Sequence, residues 1–442
     1  MWILAWEVSI FTALSTRTVS LKGVMFPGFV ALPVNAAGIT NFSKLVTADY
    51  WIENNPEGET IILGDKGIEK FNAEIRKVSP TVVDLANYPT TIKKRALKMK
   101  LNNFEALDED LYLRGNKVSE NYKGILRNLV NAAAITDDVQ VKYAVVVRRS
   151  NLRNLPTGEG LFYFAADKDF DALQETALDP CDPVAVLHTS QNSQFHYVQA
   201  VNYSGWISTY DIAFTDRETW LKYVAPEKFV VVVGKSVKLK TWDETVEYQQ
   251  GSRIPLTSVD DKAYVLNVAG RGKDGNLDKV KVKVAKNAAL NEGYLPYTSN
   301  NILRSAFKFY GEPYGWGGLK NSVDCSSLVY NAYRTVGIYL PRNADEQEAS
   351  AGLHIELNKM DDATKLTTIQ GLTPGTGLYM DNHCLMYLGK SDGVPFALHA
   401  LGSYYNEGKN VRVMRIVVSD LTLNRHNGNT MLTDLTNAVE FK

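Results

Sequence analysis

The sequence predicts a multidomain chain: a helical N-terminal domain, two small β-barrels and a C-terminal α+β domain. Three changes of texture along the 442 residues carry that prediction. Helical periodicity fills roughly 42–135, and short β-rich runs parted by turns fill 141–284. From Ser299 onward, helices precede a set of strands. A chain this long exceeds one ordinary hydrophobic core.

The first 37 residues stand apart. Arg17 and Lys22 precede the apolar run Gly23 to Val34, and the small residues Ala36 and Ala37 follow. This is the layout of an export signal with a small-residue cleavage site, expected over 1–37. The front before Arg17 is long and carries Glu7, so an uncleaved anchor is the competing reading. Elsewhere no apolar run approaches the ~20 residues of a spanning helix. The mature chain is therefore expected to have no membrane span and to act in a periplasm or outside the cell.

Residues 38–140 are expected to form the helical, stabilising domain. Ile68, Phe71 and Ile75 make an amphipathic stripe within Gly67 to Val78. Leu97 to Leu111 carries a weaker stripe, and Tyr122 to Ala134 a better one. The first barrel is expected over 141–216 and the second over 217–290. Their strands include Tyr143 to Val147, Val184 to His188, Trp206 to Thr209, Phe229 to Val233 and Ala263 to Val268, with a helical connector at Arg217 to Tyr223. The stretch Arg149 to Thr157, followed later by Tyr203-Ser204-Gly205-Trp206-Ile207, resembles the opening and closing signatures of bacterial SH3-type domains. Between them, Gly158 to Asp182 is longer than a minimal barrel needs. Its aromatic run Phe162-Tyr163-Phe164 is a candidate contact with a neighbouring cleft, although large aromatics more often pack a core.

Composition narrows the chemistry. Lys plus Arg is 48 and Asp plus Glu is 49, which leaves no bulk charge for nucleic acid or anionic membrane. The three cysteines, Cys181, Cys325 and Cys384, form no CxxC pair, so neither a zinc ribbon nor a disulfide scaffold is expected. Cys181 and Cys384 read as small buried residues.

Cys325 differs in its setting. Tyr314-Gly315-Trp316-Gly317-Gly318 makes a small-residue loop, and Asp324-Cys325-Ser326-Ser327-Leu328 opens an amphipathic helix within 291–442. Asp324 is placed to cap that helix. A helix N-terminus carries partial positive charge and free N–H groups, which favour a thiolate and can stabilise an oxyanion. On position alone, a buried core cysteine is an equal alternative. Of six histidines, His383 and His399 fall on two strand-like runs joined by Gly389-Lys390-Ser391-Asp392-Gly393. If Lys390 to Asp392 is the loop, the two rings stand directly opposite on one face. His383 then takes the thiol proton and His399 orients it. A satisfied structural histidine is the alternative for each. Cys384 is expected on the other face, in the core.

Tyr314 to Leu328, Leu340-Pro341-Arg342, Pro374 to Leu378, His383 to Gly389 and Phe396 to Ala400 together resemble the NlpC family of papain-like cell-wall peptidases. The whole chain resembles the branch with a helical N-terminal stabilising domain, two SH3-like barrels and a C-terminal peptidase domain. That resemblance implies cleavage of the γ-D-glutamyl–diamino acid bond in peptidoglycan stem peptides, with no metal and no organic cofactor. It implies Cys325 as nucleophile, His383 as base and His399 as third member. It implies Asp324 and Ser326 at the stem's free amine, Tyr314 as an oxyanion donor, and a first barrel that restricts the cleft to stems with a free N-terminus. Ser327, Thr376 and Asn343 depart from the family pattern, which bears on substrate detail. An N-acetylmuramoyl-L-alanine amidase, a thiol acyltransferase and a wall-binding protein with a vestigial site are the competing readings. The choice between meso-diaminopimelate and lysine stems, and the oligomeric state, stay open at this level.

Overall fold

Apolar stripes shape the early chain into short helices, Ala48–Glu53, Asp65–Val78, Lys94–Leu101 and Glu120–Leu129. The computed structural model describes residues 38–40, 42–241 and 244–442, so the export signal expected over 1–37 lies outside the described residues. Helices this short cannot hold a core of their own, and they divide between two larger ones. Trp51, Phe71 and Ile75 bury with the C-terminal domain. Leu97, Leu101 and Leu126 bury with the barrels. The stripe expected from Leu97 to Leu111 is not one helix. It stops at Leu101, before Asn102 and Asn103, and resumes as a 3-10 turn over Glu105–Asp108. A small hairpin follows, Tyr112–Leu113 against Asn116–Lys117, turned by Arg114 and Gly115 at φ 51° and 82°.

The first barrel is a seven-stranded antiparallel sheet running, in spatial order, Ile212–Thr215, Lys142–Val146, Pro183–Thr189, Phe195–Gln199, Ser204–Ser208, Ser150–Arg153 and Gln174–Leu178. Trp206 is fully buried within it. The long insertion supplies the last strand and so lies at one edge. Helix Arg217–Val224, capped by Asp216, leads to the second barrel. There Leu277–Ala285, Ala263–Arg271, Arg253–Val259, Phe229–Val232 and Leu290–Glu292 form a five-stranded sheet beside the hairpin Ser236–Lys240/Thr245–Gln249.

The C-terminal domain holds Cys325, His383 and His399. Helices α1 (Ser299–Ala306) and α2 (Cys325–Arg334) pack on a six-stranded antiparallel sheet. Its strands are β1 (Leu353–Glu356), β2 (Gly377–Met380), β3 (His383–Ser391), β4 (Val394–Asn406), β5 (Lys409–Asp420) and β6 (Asn437–Glu440). Their spatial order is β1-β6-β2-β3-β4-β5. The N-terminal segment extends this sheet, because Thr40 donates its backbone N–H to Val418 at 3.1 Å.

A buried ionic node ties the barrels to α2. Asp179 of the first barrel, its side chain 1% exposed, accepts from Arg149 at 2.5 Å and from Arg334 of α2 at 3.3 Å. Gln249 of the second barrel donates its backbone N–H to the same carboxylate at 3.3 Å. Among the described residues no helix is long and apolar enough to cross a membrane.

Candidate active site

Cys325 is the first residue of α2, and Asp324 caps it through a reciprocal pair of bonds. The Ser327 N–H donates to Asp324 at 2.9 Å, and the Asp324 N–H donates to the Ser327 hydroxyl at 2.8 Å. The Ser327 departure therefore completes the cap. Arg342 grips the same carboxylate at 2.6 and 3.2 Å and donates to the Ser326 hydroxyl at 2.9 Å. The Gly317 N–H adds a bond at 2.9 Å. Burial pushes the Asp324 carboxyl up, but the Arg342 charge and these bonds outweigh it and hold it below the usual carboxylate range.

The Cys325 side chain packs against the core cluster that holds Cys384. Cys384 first, then the charge of His383, hold its thiol well below the ordinary range against the effect of burial. Cys384 is fully buried, as expected, and burial first, then Cys325, push its thiol well above the ordinary range. Tyr314 is buried close by. Burial, then the charges on Cys325 and Asp324, push its hydroxyl well above its usual range, so it stays a neutral donor.

His383 Nε2 lies 2.8 Å from His399 Nδ1, and His399 Nε2 lies 2.8 Å from the Ser419 hydroxyl. The two rings do not stand directly opposite. The hairpin turns on Asp392 and Gly393, at φ 52° and 78°, and a bulge falls between Tyr387 and Gly389. The ladder ends with Met386 opposite Leu398, so His399 follows on opposite Leu385 and meets His383 diagonally. Burial, then the charge of His383, hold His399 well below the usual histidine range, so it stays neutral.

The insertion of the first barrel lines the approach to this group. Phe170 packs its ring 5.7 Å from Tyr314 and 5.5 Å from Trp316. Gln174 donates to the Gly317 carbonyl at 2.8 Å, and the Trp316 indole donates to the Asp171 carbonyl at 3.0 Å. Gly317 sits at φ 54°, where an added Cβ would fall 2.5 Å from Gln174. The run Phe162-Tyr163-Phe164 is not the contact: Tyr163 packs into the barrel core and Phe162 pairs with Tyr112. Beside Arg342, whose Nε donates to Thr176 at 2.8 Å, lies the half-buried Glu175. It accepts from the Tyr203 hydroxyl. Burial raises its carboxyl above the usual range despite that bond and the Arg342 and Arg153 charges.

Sequence reasoning thus brings Cys325, His383, His399, Asp324, Ser326 and Tyr314 to one place. It missed Arg342 as the partner of Asp324, along with Ser419, Glu175, Tyr203 and Phe170. Arg342 closed the quoted Leu340-Pro341-Arg342 motif and Tyr203 opened the quoted barrel signature, but neither was given a place in the site. Ser419, Glu175 and Phe170 come from distant segments and carry no local signal. Among the described residues no group of three His, Cys, Asp or Glu is placed to hold a metal ion.

The site is thus a cysteine at a capped helix N-terminus with a pair of hydrogen-bonded histidines on the antiparallel sheet. Residues 311–413 match the NlpC/P60 family, and residues 161–208 match the SH3 domain of SH3b1 type. The chain thus carries an NlpC/P60-type domain together with an SH3 domain of SH3b1 type. The bifunctional muramidase/DL-endopeptidase CwlT of Bacillus subtilis is 31% identical over 105 residues, 23% of this chain and 28% of that protein. The γ-D-glutamyl-L-lysine dipeptidyl-peptidase of the same species is 36% identical over 64 residues, 14% of this chain and 21% of that protein. The chain thus spans less than a third of each of these two relatives. An NlpC/P60 endopeptidase structure from Photobacterium damselae subsp. piscicida superposes with a TM-score of 0.74 at 17% identity, covering 93% of this chain and 98% of that one. That likeness extends the shared fold across the barrels.

Proposed function

We propose that the protein is a cysteine endopeptidase that cleaves the γ-D-glutamyl–diamino acid bond of peptidoglycan stems, acting outside the cytoplasm. The observation that carries the reaction class is the His383–His399 pair, with Cys325 at a capped helix N-terminus and its thiol favoured in the charged form by His383. The Cys325 thiolate attacks the γ-carbonyl, and the oxyanion is met by the helix N-terminus and the Tyr314 hydroxyl. The C–N bond breaks as protonated His383 gives its proton to the leaving amine. His383 then takes a proton from water, whose attack on the thioester releases the acid and restores Cys325. The choice of bond is supported by the names of the Bacillus subtilis relatives.

We further propose a preference for stems with a free N-terminal L-Ala. Glu175, bonded to Tyr203, is a carboxylate pushed toward its neutral form by burial, and an incoming ammonium restores its charge. Arg342 holds Asp324 and Ser326 at the same end of the site. The test is steady-state kinetics on a free stem peptide and on the same stem N-acylated with a lactyl group. Wild type should favour the free stem. Glu175→Gln should raise its KM on the order of tenfold, the loss of one charged hydrogen bond, and leave the acylated stem unaffected. Equal KM values for the two enzymes on the free stem would remove the amine site from this reading.

A further inference from the structure

Charge is even over the whole chain but not over the helix Lys94–Leu101. That helix reads Lys-Arg-Ala-Leu-Lys-Met-Lys-Leu, with Lys93 at its N-cap and no acidic residue in its first turn. An acid there would match the partial positive charge of the N-terminus, and cations oppose it. Lys94 and Lys98 stand four residues apart, and Arg95 and Lys98 three, so like charges share one face. Beside them Leu97 and Leu101 are buried in the core that the barrels also fill. Tertiary packing therefore holds a helix that its own charges oppose. These cations line a groove of about 700 Å³, together with Met99 and a single acid, Asp138. Asp138 is already engaged: it accepts from Lys93 at 2.8 Å and from the Lys94 N–H at 3.0 Å. Among the described residues the side chains of Arg95 and Lys98 have no hydrogen bond or ion pair.

We propose that this basic groove docks the peptidoglycan polymer through the carboxylates of its stem peptides, as a second contact apart from the catalytic site. The inference rests on the substrate reading above. A γ-linked D-glutamate keeps its α-carboxylate free, so every such stem carries negative charge along the wall. Four cations against one engaged acid complement that charge, and a local positive field raises the concentration of an anionic partner.

Shape and composition favour this occupant over other polyanions. A groove is concave and receives a strand, whereas a bilayer presents a flat face. A helix that lies on a membrane needs an apolar face to insert, and here Leu97 and Leu101 are spent in the core. That leaves Met99, 69% exposed, as the one large apolar side chain of the lining. No aromatic residue lines the groove to stack on the bases of a single-stranded nucleic acid. Lysine heads are point charges on flexible stems, which meet the carboxylates of a flexible polymer without one fixed geometry.

The test is co-sedimentation of the full-length Cys325→Ala protein, which leaves the wall uncut, with insoluble peptidoglycan stripped of phosphodiester-linked polymers. Binding is read without turnover, so its failure is distinct from a failure of the cleavage reading, which soluble stems test separately. Adding Lys94→Gln, Arg95→Gln and Lys98→Gln, which keep good helix formers, should weaken binding on the order of tenfold, the sum of three exposed charge pairs. The same three changes in the active enzyme should leave cleavage of a small soluble stem at the wild-type rate. Lys94→Arg with Lys98→Arg, the charge kept, should bind as the parent does. Converting the wall carboxylates to amides should weaken the parent as much as the three glutamines do. Equal sedimentation of the glutamine variant, or undiminished binding to the amidated wall, would overturn the proposal. Binding confined to wall that keeps its phosphodiester polymers, or to anionic phospholipid vesicles, would overturn it too, since either result names another occupant.

Discussion

His399 presents Nδ1 to Nε2 of His383 at 2.8 Å, while its own Nε2 lies 2.8 Å from the Ser419 hydroxyl. A neutral ring can accept at Nδ1 only when Nε2 carries the hydrogen, and Ser419 accepts that hydrogen. Ser419 thereby sets the tautomer of His399, and His399 sets the orientation of His383. His399→Ala should lower kcat on the order of 10²-fold with KM little changed, and His399→Asn, which keeps an acceptor, should recover much of it. Ser419→Ala should lower kcat less, and Ser419→Thr should restore it.

The Cys325 thiol lies below the ordinary range because Cys384 and His383 favour its charged form. A lowered acid is ionised at lower pH. Alkylation of Cys325 by iodoacetamide should therefore stay fast as pH falls below the ordinary thiol value of about 8.5. In His383→Ala the rate should fall away at higher pH than in wild type.

Arg342 and Asp324 are both nearly enclosed, with side chains 4% and 6% exposed. Arg342→Met leaves a buried, unpaired carboxylate and should cost about 3–5 kcal/mol in urea unfolding. Adding Asp324→Asn should return part of that loss, since the two residues act on one interaction. The carboxyl is held below its unfolded value, so the pair's contribution is present above the unfolded carboxyl's pKa. It is lost as pH falls through the folded value.

Phe170 reaches from the barrel onto Tyr314 and Trp316. Phe170→Ala should open that side of the site. The ratio of kcat/KM for free over N-acylated stems should fall, and a stability loss of about 3 kcal/mol should accompany it. An unchanged ratio would mean that the insertion does not restrict the cleft.

What the sequence disclosed follows from how local each signal was. The helix opening at Cys325 and the strands around His383 and His399 are written in consecutive residues, and each appears where periodicity places it. The register between the two histidines was not legible, because one bulge at Tyr387 to Gly389 shifts it and no residue there announces a bulge. Glu175 and Phe170 were out of reach for a different reason. Their roles depend on how the first barrel docks, through Asp179, Arg149 and Arg334, and that contact joins segments far apart in the chain. The helical stripes at Phe71 and Leu126 were read correctly as buried faces, but each face found a different core.

The central claim is that Cys325 cuts the γ-D-glutamyl–diamino acid bond. Mass spectrometry of products from L-Ala-γ-D-Glu-meso-diaminopimelate and from its lysine counterpart, using wild type and Cys325→Ala, tests it most directly. The account predicts L-Ala-D-Glu and the free diamino acid from at least one stem with wild type, and intact stems with the variant. Intact stems with folded, reduced wild type, or the same products from the variant, would contradict it.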